Sequence, residues 1–260
     1  MISIYATPHL TRRFWPVVMR NFLVWKKLAG ASIIGNIAEP LITLVAFGYG
    51  VGSLVGQIGG LSYIEYLASG SIAASAAMAA TFEALYSAYS RMEVQKTWDS
   101  ILNAPIALDD IVFAEMLWAA IKALFSCAAI LVVIFVLDIS RAPTMLLALP
   151  VLGLAGVTFA SLALIFNALA RGYDFFTYYF TLVITPMTFL SGVYFPIAQM
   201  PPWLQGVAQV LPLKAAVDLV RPLVLGNIPA DPLGPLLILA GYACSGYYLA
   251  LVLTRRRFFR

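Results

Sequence analysis

Long apolar runs, each close to membrane-spanning length, alternate with short polar or proline-broken intervals along this chain. A transmembrane helix needs about 20 apolar residues. Six segments approach or exceed that length: Ala31–Val55, Tyr63–Ala88, Ile111–Leu137, Thr144–Ala170, Phe175–Phe195 and Leu233–Leu253. The pattern predicts one all-α integral membrane domain of six transmembrane helices over 1–260. Lipid offers no partner to an exposed backbone group, so only helices and closed barrels cross it. A barrel would show short alternating segments rather than continuous runs. Residues 1–30 are expected as a cytoplasmic or interfacial helix, 31–253 as the six spans and 254–260 as a basic cytoplasmic tail.

Three intervals between the runs carry structure of their own. Before the first, Phe14, Val18, Phe22 and Trp25 recur at near-helical spacing, with Arg13, Arg20 and Lys27 elsewhere around the helix. Such a helix lies in the membrane interface, its cations toward anionic lipid. It serves as a topology anchor or as a mechanical link to a cytoplasmic partner. Between the second and third runs, Val94, Trp98, Ile101 and Leu102 fall at i, i+4, i+7 and i+8, while Glu93, Lys96, Asp99, Ser100 and Asn103 cover the other side. One amphipathic helix over Glu93–Asn103 follows. Pro105 biases Ala104 away from helix and ends it, leaving Asp109 and Asp110 as N-cap candidates for the third span. A helix held between two spans can plug into a groove on a partner and push on both, or rest on lipid. After the fifth run, Pro196, Pro201, Pro202, Pro212 and Pro222 cut an apolar stretch into pieces too short to span. Two short helices, about 202–210 and 213–220, are expected in the outer leaflet. They cap the exit of a pathway or form a plain structural lid, because non-helical backbone at membrane depth survives only against protein or a cavity.

Composition agrees with this class: 62% of residues are hydrophobic and 11% charged, against about 45–50% and about 25% in soluble domains. The net charge of +4 does not point to nucleic acid, because the cations flank the spans. Arg12, Arg13, Arg20, Lys26, Lys27, Arg91, Lys96, Arg171, Arg255, Arg256, Arg257 and Arg260 fall on one side, and only Arg141, Lys214 and Arg221 on the other. The side richer in Lys and Arg is cytoplasmic, which puts both termini there. The opening MISIYATPHL has no charged segment leading into a cleavable apolar one, so no signal peptide is expected. Cys127 and Cys244 sit inside spans and are expected as buried, inert thiols, with no disulfide and no metal site.

Four ionisable residues fall within the runs: Glu39, Glu83, Glu115 and Lys122. A charge at the bilayer centre costs about 2.5–3.5 kcal/mol on insertion scales, so each needs a partner. Glu115 and Lys122 share a face of the third span about 10 Å apart along its axis. They are too distant to bond directly but can share a polar network. Buried pairing or snorkelling is the expected role, with a proton relay as the alternative. The one histidine, His9, lies outside the spans. No G-x-x-x-x-G-K-[ST], H-E-x-x-H, G-x-S-x-G or C-x-x-C occurs. The chain is therefore not expected to be an enzyme, and ATP hydrolysis, if transport needs it, falls to another polypeptide.

Three strings carry a family resemblance: AEPLI at Ala38–Ile42 through FGYG at Phe47–Gly50, FLSGVYFP at Phe189–Pro196, and LPL at Leu211–Leu213 through AVDLVRPLVLG at Ala216–Gly226. With the order of amphipathic helix, spans, short cytoplasmic helix and broken outer segment, the whole chain resembles the permease subunit of ABC-2-type transporters. The last two strings resemble most the nodulation-factor (lipo-oligosaccharide) exporter permeases. One departure is Lys214, in a stretch where that subfamily is expected to carry a small polar residue and a histidine.

The resemblance implies a half-transporter: two copies pair with two copies of a cytoplasmic ATPase, which binds ATP and Mg, so this chain needs no cofactor. Glu93, Lys96, Thr97, Trp98, Asp99 and Leu102 would receive the ATPase's motion. The pathway would lie between the two copies, lined mainly by spans one, two and five. There Tyr49, Tyr66, Phe175, Phe176, Tyr178 and Tyr179 would meet a sugar or lipid cargo, or else form an interfacial aromatic belt. Tyr194, Pro196, Trp203 and Lys214 would form the exoplasmic gate. The implied setting is the bacterial inner membrane, with lipid as a further partner. The implied activity is ATP-driven export of an amphipathic molecule such as a lipid-linked oligosaccharide or glycolipid. Export of a hydrophobic drug-like compound, a proton-coupled secondary transporter and a membrane anchor are the alternatives.

Overall fold

The computed structural model describes residues 4–259, with the side chains of Asn36, Ile37, Glu39 and Pro40 outside the described set. Glu39 therefore lies outside the described residues as a side chain. Helix α1 is Phe14–Lys26. Helix α2 runs over 29–55, regular at Ala29–Val45, widened into a π turn at Ala46–Val51 and closed by Gly52–Val55. The glycine-rich turn then forms a small hairpin that an all-helical reading does not contain. Gln57–Ile58 (β1) pairs antiparallel with Leu61–Ser62 (β2). Its two turn residues, Gly59 and Gly60, have φ of 59° and 84°, which glycine adopts without strain.

Helix α3, residues 63–94, starts on a capping box: Glu65 N–H donates to the Ser62 hydroxyl, and Ser62 N–H to the Glu65 carboxylate. It is regular at Tyr63–Phe82 and loosened by π turns at Glu83–Ser87 and Ser90–Val94. After it come α4 (Thr97–Leu102), α5 (Leu108–Val136), α6 (Pro143–Leu169, entered through a 3-10 turn) and α7 (174–190, with a π turn at Phe180–Ile184). The chain closes with α8 (Pro202–Gln209), α9 (Pro212–Val224) and α10 (Leu233–Phe258). The two short helices expected after the fifth run are thus α8 and α9, and α9 continues past Pro222. Among the described residues, α5, α6 and α10 are long, apolar and unbroken enough to cross a membrane.

Small residues decide what sits at the centre. Lipid supplies no hydrophobic drive between helices, so packing needs backbones that approach closely. Ala68, Ala73, Ala76, Ala80 and Ala84 of α3 are fully buried, and α6 packs against α3, α5, α9 and α10. A Cβ at Gly156 would stand 3.1 Å from the Ala120 Cα, and one at Gly246 would stand 2.6 Å from the Ser161 hydroxyl.

Both ends of the bundle are tied by polar contacts. At one end Arg255, 1% exposed, grips Asp109 at 3.0 and 2.5 Å and the Ala6 carbonyl at 2.6 Å. Thr11 binds Asp110 through its N–H and its hydroxyl at 2.8 and 2.7 Å. Arg257 donates to the carbonyls of Asn167, Ala168 and Ala170 at 3.2, 3.0 and 2.7 Å, closing the C-terminus of α6. At the other end Ser140 and Thr144 hold the carbonyls of Val224 and Leu223 at 2.5 and 2.6 Å.

These contacts revise three expectations. Asp109 and Asp110 are not N-caps, since Ala107 holds that position and both acids lie in the first turn. The basic tail is largely an internal clasp. The α1 helix rests on protein along one face: Val17 and Val18 are buried against Ala114 and Trp118, and Trp25 stacks on Phe125. Its other face, with Trp15 and Leu23, is exposed. Cys127 is buried as expected, whereas Cys244 is exposed.

The tight crossing of α10 on α6 gives a paired test. Gly246→Val is expected to lower the thermal unfolding midpoint in detergent by several degrees. Gly241→Val, on the same helix with nothing within 4 Å of its Cβ, is expected to leave it unchanged. Equal midpoints in the two variants would refute the close approach.

Candidate functional site

Two of the four ionisable residues within the apolar runs, Glu83 and Glu115, meet at one arginine, and a third, Lys122, joins them through Glu83. Arg91 sits on the second π turn of α3, eight residues after Glu83. In a regular α-helix that interval leaves the two side chains about 80° apart around the axis. The π turns rotate less per residue and bring Arg91 back beneath Glu83. Its guanidinium donates to Glu83 at 2.9 Å and to both oxygens of Glu115 on α5 at 2.5–3.1 Å. Lys122 closes the set on the other Glu83 oxygen at 2.7 Å. The Trp118 indole N–H donates to Glu83 at 2.9 Å, and that of Trp98 to Glu115 at 3.2 Å. Glu83 and Glu115 are 3% and 1% exposed, so two anions and two cations neutralise one another away from water. Glu115 and Lys122 do not touch, as their spacing predicted; Glu83 and Arg91 bridge them.

This cluster anchors α4. Trp98 is fully buried, and its N–H bond to Glu115 fastens α4 to α5, while Arg91 fastens α3 to α5. The amphipathic helix is shorter than the sequence pattern suggests. Lys96 adopts φ 52°, a left-handed conformation that interrupts the run between α3 and α4. Val94 is consequently 62% exposed and does not join Trp98 on one apolar face. Thr97, Ile101 and Leu102 are half-buried, and Asp99, Ser100 and Asn103 are exposed. Glu93 turns inward to Arg257 at 2.8 Å and to Lys96 at 2.9 Å. Partial burial by itself raises the Glu93 carboxyl, but the Lys96 hydrogen bond and the charges of Arg257 and Lys96 outweigh it and hold it below the usual range.

A cleft of about 450 Å³ opens beside α2, α3 and α7. Thr43, Ser71, Ser75 and Thr188 are its polar lining residues, the last three with hydroxyls that donate to carbonyls of their own helices at 3.1, 2.8 and 2.8 Å; Met78, Phe82, Phe180 and Tyr194 are among the larger apolar ones. None of the six aromatic residues assigned to a pathway is among the residues lining it. Phe176 and Tyr179 are buried in the core, where Tyr179 packs on Phe166 and Phe176 on Tyr86 and Tyr89. Phe175 packs on Phe166. Tyr49 and Tyr178 are each 64% exposed. Tyr66 is buried, its hydroxyl on the Gly192 carbonyl at 2.9 Å. Among the gate residues, Tyr194 lines the cleft and packs on Phe47 and Phe189. Pro196 starts a 3-10 turn, Trp203 is exposed, and Lys214 pairs with Asp218. Sequence reasoning missed the cleft hydroxyls, although Ser71 and Ser75 stand at i and i+4. It also counted Arg91 as a loop cation.

Comparison with known proteins gives a consistent answer. A family profile described as ABC-2 type transporter matches residues 12–225. Nodulation protein J of Rhizobium leguminosarum bv. trifolii is 45% identical over 258 residues, 99% of this chain and 98% of that protein. Nodulation protein J of Rhizobium meliloti (strain 1021) is 46% identical over 239 residues, 92% of this chain and 91% of that protein. The inner membrane transport permease YadH of Escherichia coli (strain K12) is 24% identical over 185 residues, 69% of this chain and 72% of that protein. The resemblance carried by the strings at 189–196 and 211–226 agrees with these similarities.

Two measurements check the site. Losing one partner of a buried ion pair costs about 3–5 kcal/mol, because the other charge stays behind. Arg91→Met and Glu115→Gln are each expected to lower the unfolding midpoint strongly. The double variant removes one charge of each sign and should recover part of the loss; simple additivity would refute a shared network. For Glu93, a lowered folded pKa means stability present above the ordinary carboxylate range, about 4.3, and lost as pH falls through the folded value. Between about pH 7 and about pH 3, wild type should therefore lose more stability than Glu93→Gln.

Proposed function

Because the chain belongs to the ABC-2 type transporter family, we propose that it is the permease half of an ATP-driven exporter in the bacterial inner membrane. Two copies work with two copies of a cytoplasmic ATPase that supplies the ATP chemistry. The observation that carries this reading is the buried Arg91 cluster. A short helix with an exposed polar face is fastened by Trp98 and Arg91 to two long helices, so a push on α4 reaches α3 and α5 without slack. A proton relay would need acids free to exchange protons. Glu83 and Glu115 are instead each held by cations and an indole N–H.

Six spans with both termini cytoplasmic fit the contacts at the two ends of the bundle. The segments at 4–11, 91–109, 167–170 and 255–257 bond to one another at one end. Those at 140–144 and 223–224 meet at the other, as do 66 and 192. A chain that alternates between these groups traverses the bundle six times. The first group carries most of the Lys and Arg, which favours the cytoplasmic side.

The cargo is an amphiphile with a sugar head on a lipid tail. Support comes from the similarity to nodulation-factor exporter permeases and from the cleft, where Thr43, Ser71, Ser75 and Thr188, spread over three helices, suit a sugar and Met78, Phe82 and Phe180 suit an acyl chain. Exposed Ile42, Leu182 and Phe189 on α2 and α7 offer a second copy an apolar face beside that cleft.

Co-purification of the tagged chain in mild detergent tests the reading. A stoichiometric ATPase is expected with wild type. Asp99→Lys with Asn103→Lys, exposed on α4 and at its C-cap, should lose the ATPase while keeping membrane insertion and unfolding midpoint. Glu93 is a poor position for this test, since Arg257 and Lys96 already hold it. Wild-type ATPase recovery in the double variant would sink α4 as the docking element.

A further inference from the structure

Among the described residues, Arg91, Arg221 and Arg255 reach into the packed interior, and of these Arg221 has no salt bridge. Arg91 and Arg255 bridge to Glu83, Glu115 and Asp109. Arg221, on α9 at the outer end, has no acid within ion-pair distance among the described residues. The nearest acid on its own helix, Asp218, is taken by Lys214. The remaining basic residue counted on that side, Arg141, pairs with Asp138.

Dipoles and a ring hold the Arg221 guanidinium instead. It lies 3.9 Å from the centroid of the Tyr66 ring. It donates to the Gly192 carbonyl at 2.7 Å and, at longer range, to the Ser69 hydroxyl at 3.3 Å and the Tyr66 carbonyl at 3.4 Å. The fit is close, since a Cβ at Gly70 would stand 2.7 Å from Arg221 Nη2. Among the described residues its hydrogen-bond partners are all neutral, with Asp218 acting on it only through space, and desolvated charges in membrane proteins mark ligand paths. Arg221 does not itself line the cleft but stands behind its wall: the carbonyl it binds belongs to Gly192, and the next residue, Val193, lines the cleft, as does Ser71, which follows the Gly70 that packs close to the guanidinium.

We propose that Arg221, backed by the Tyr66 ring, is a binding site for the anionic group of an amphiphile at the outer end of the cleft. The ligand class is an acyl chain bearing a phosphate, sulfate or carboxylate. Its planar fork suits those oxyanions better than an ammonium would. The Gly192 carbonyl, which takes both the Tyr66 hydroxyl and Arg221, occupies the guanidinium while the site is empty. An oxyanion displaces that carbonyl and, with it, one tie between the end of α7 and α9. The site deepens the export reading by naming a charge on the cargo, but binding there needs neither ATPase nor transport.

Native mass spectrometry of the purified chain in neutral detergent tests this with two probes of the same acyl chain, oleoyl lysophosphatidic acid and oleoyl lysophosphatidylcholine, at equal concentration. Wild type should favour the anionic probe by roughly tenfold or more, the worth of one charge-assisted hydrogen bond. Arg221→Gln should bring the ratio close to one, and Arg221→Lys should retain a clear preference. A wild-type ratio near one overturns the proposal, as does an unchanged ratio in Arg221→Gln. The wild-type arm stands even if that variant folds poorly. Adding phosphatidylglycerol separates two sources of the same chemistry: displacement of the probe assigns the site to a bilayer lipid headgroup, and retention assigns it to delivered cargo. Failure here with intact ATPase co-purification would remove the anion site and leave the export reading standing.

Discussion

Lipid cannot solvate a charge, and the architecture around Arg91 follows from that constraint. Glu83 and Glu115 lie on different helices, each beyond reach of water. Either alone would destabilise its span. One guanidinium with its donors in a fixed fork can serve both at once, which a lysine ammonium cannot do with the same geometry. Lys122 and two indole N–H groups complete the neutralisation. The helices are therefore locked in relative position by charge balance, and the elbow at 91–102 is locked with them.

The same end of the bundle is closed by a second set of arginines. Arg255 joins the start of α5 to the N-terminal segment, and Arg257 joins the elbow to the end of α6. The segments on both sides of α4 are thus bonded to other parts of the bundle, Glu93 to Arg257 and the Pro105 carbonyl to Arg13.

The helices differ in regularity. Among the described residues, π turns occur in α2, α3 and α7, the helices that border the cleft. The unbroken α5, α6 and α10 form the packed side. A π turn leaves backbone groups to be satisfied elsewhere, and Asn167 of α6 does so for the carbonyls of Ala84 and Leu85 at 2.8 and 3.3 Å. Irregular helix is tolerated in a membrane only where protein or a cavity supports it, and here it has both. The stiff half thus supports a half that carries points of local change.

Most of the architecture was legible in the residue pattern. Apolar runs located the long helices to within a few residues, because burial in lipid demands length and hydrophobicity irrespective of partners. Prolines located the starts of α8 and α9, because Pro202 and Pro212 stand at the first helical position, where a missing N–H costs nothing, although Pro222 lies inside α9 without ending it. The family strings gave the class of protein. Pairing was not legible. Glu83, Arg91, Glu115 and Lys122 stand up to 39 residues apart, and only the π turns and the α3–α5 crossing bring them together. The left-handed Lys96, the cleft hydroxyls and the stacking of Arg221 on Tyr66 were hidden for the same reason. Local pattern fixes which segments enter the membrane; which charges meet inside it depends on helix rotation and crossing, and those are decided by small-residue packing across the whole bundle.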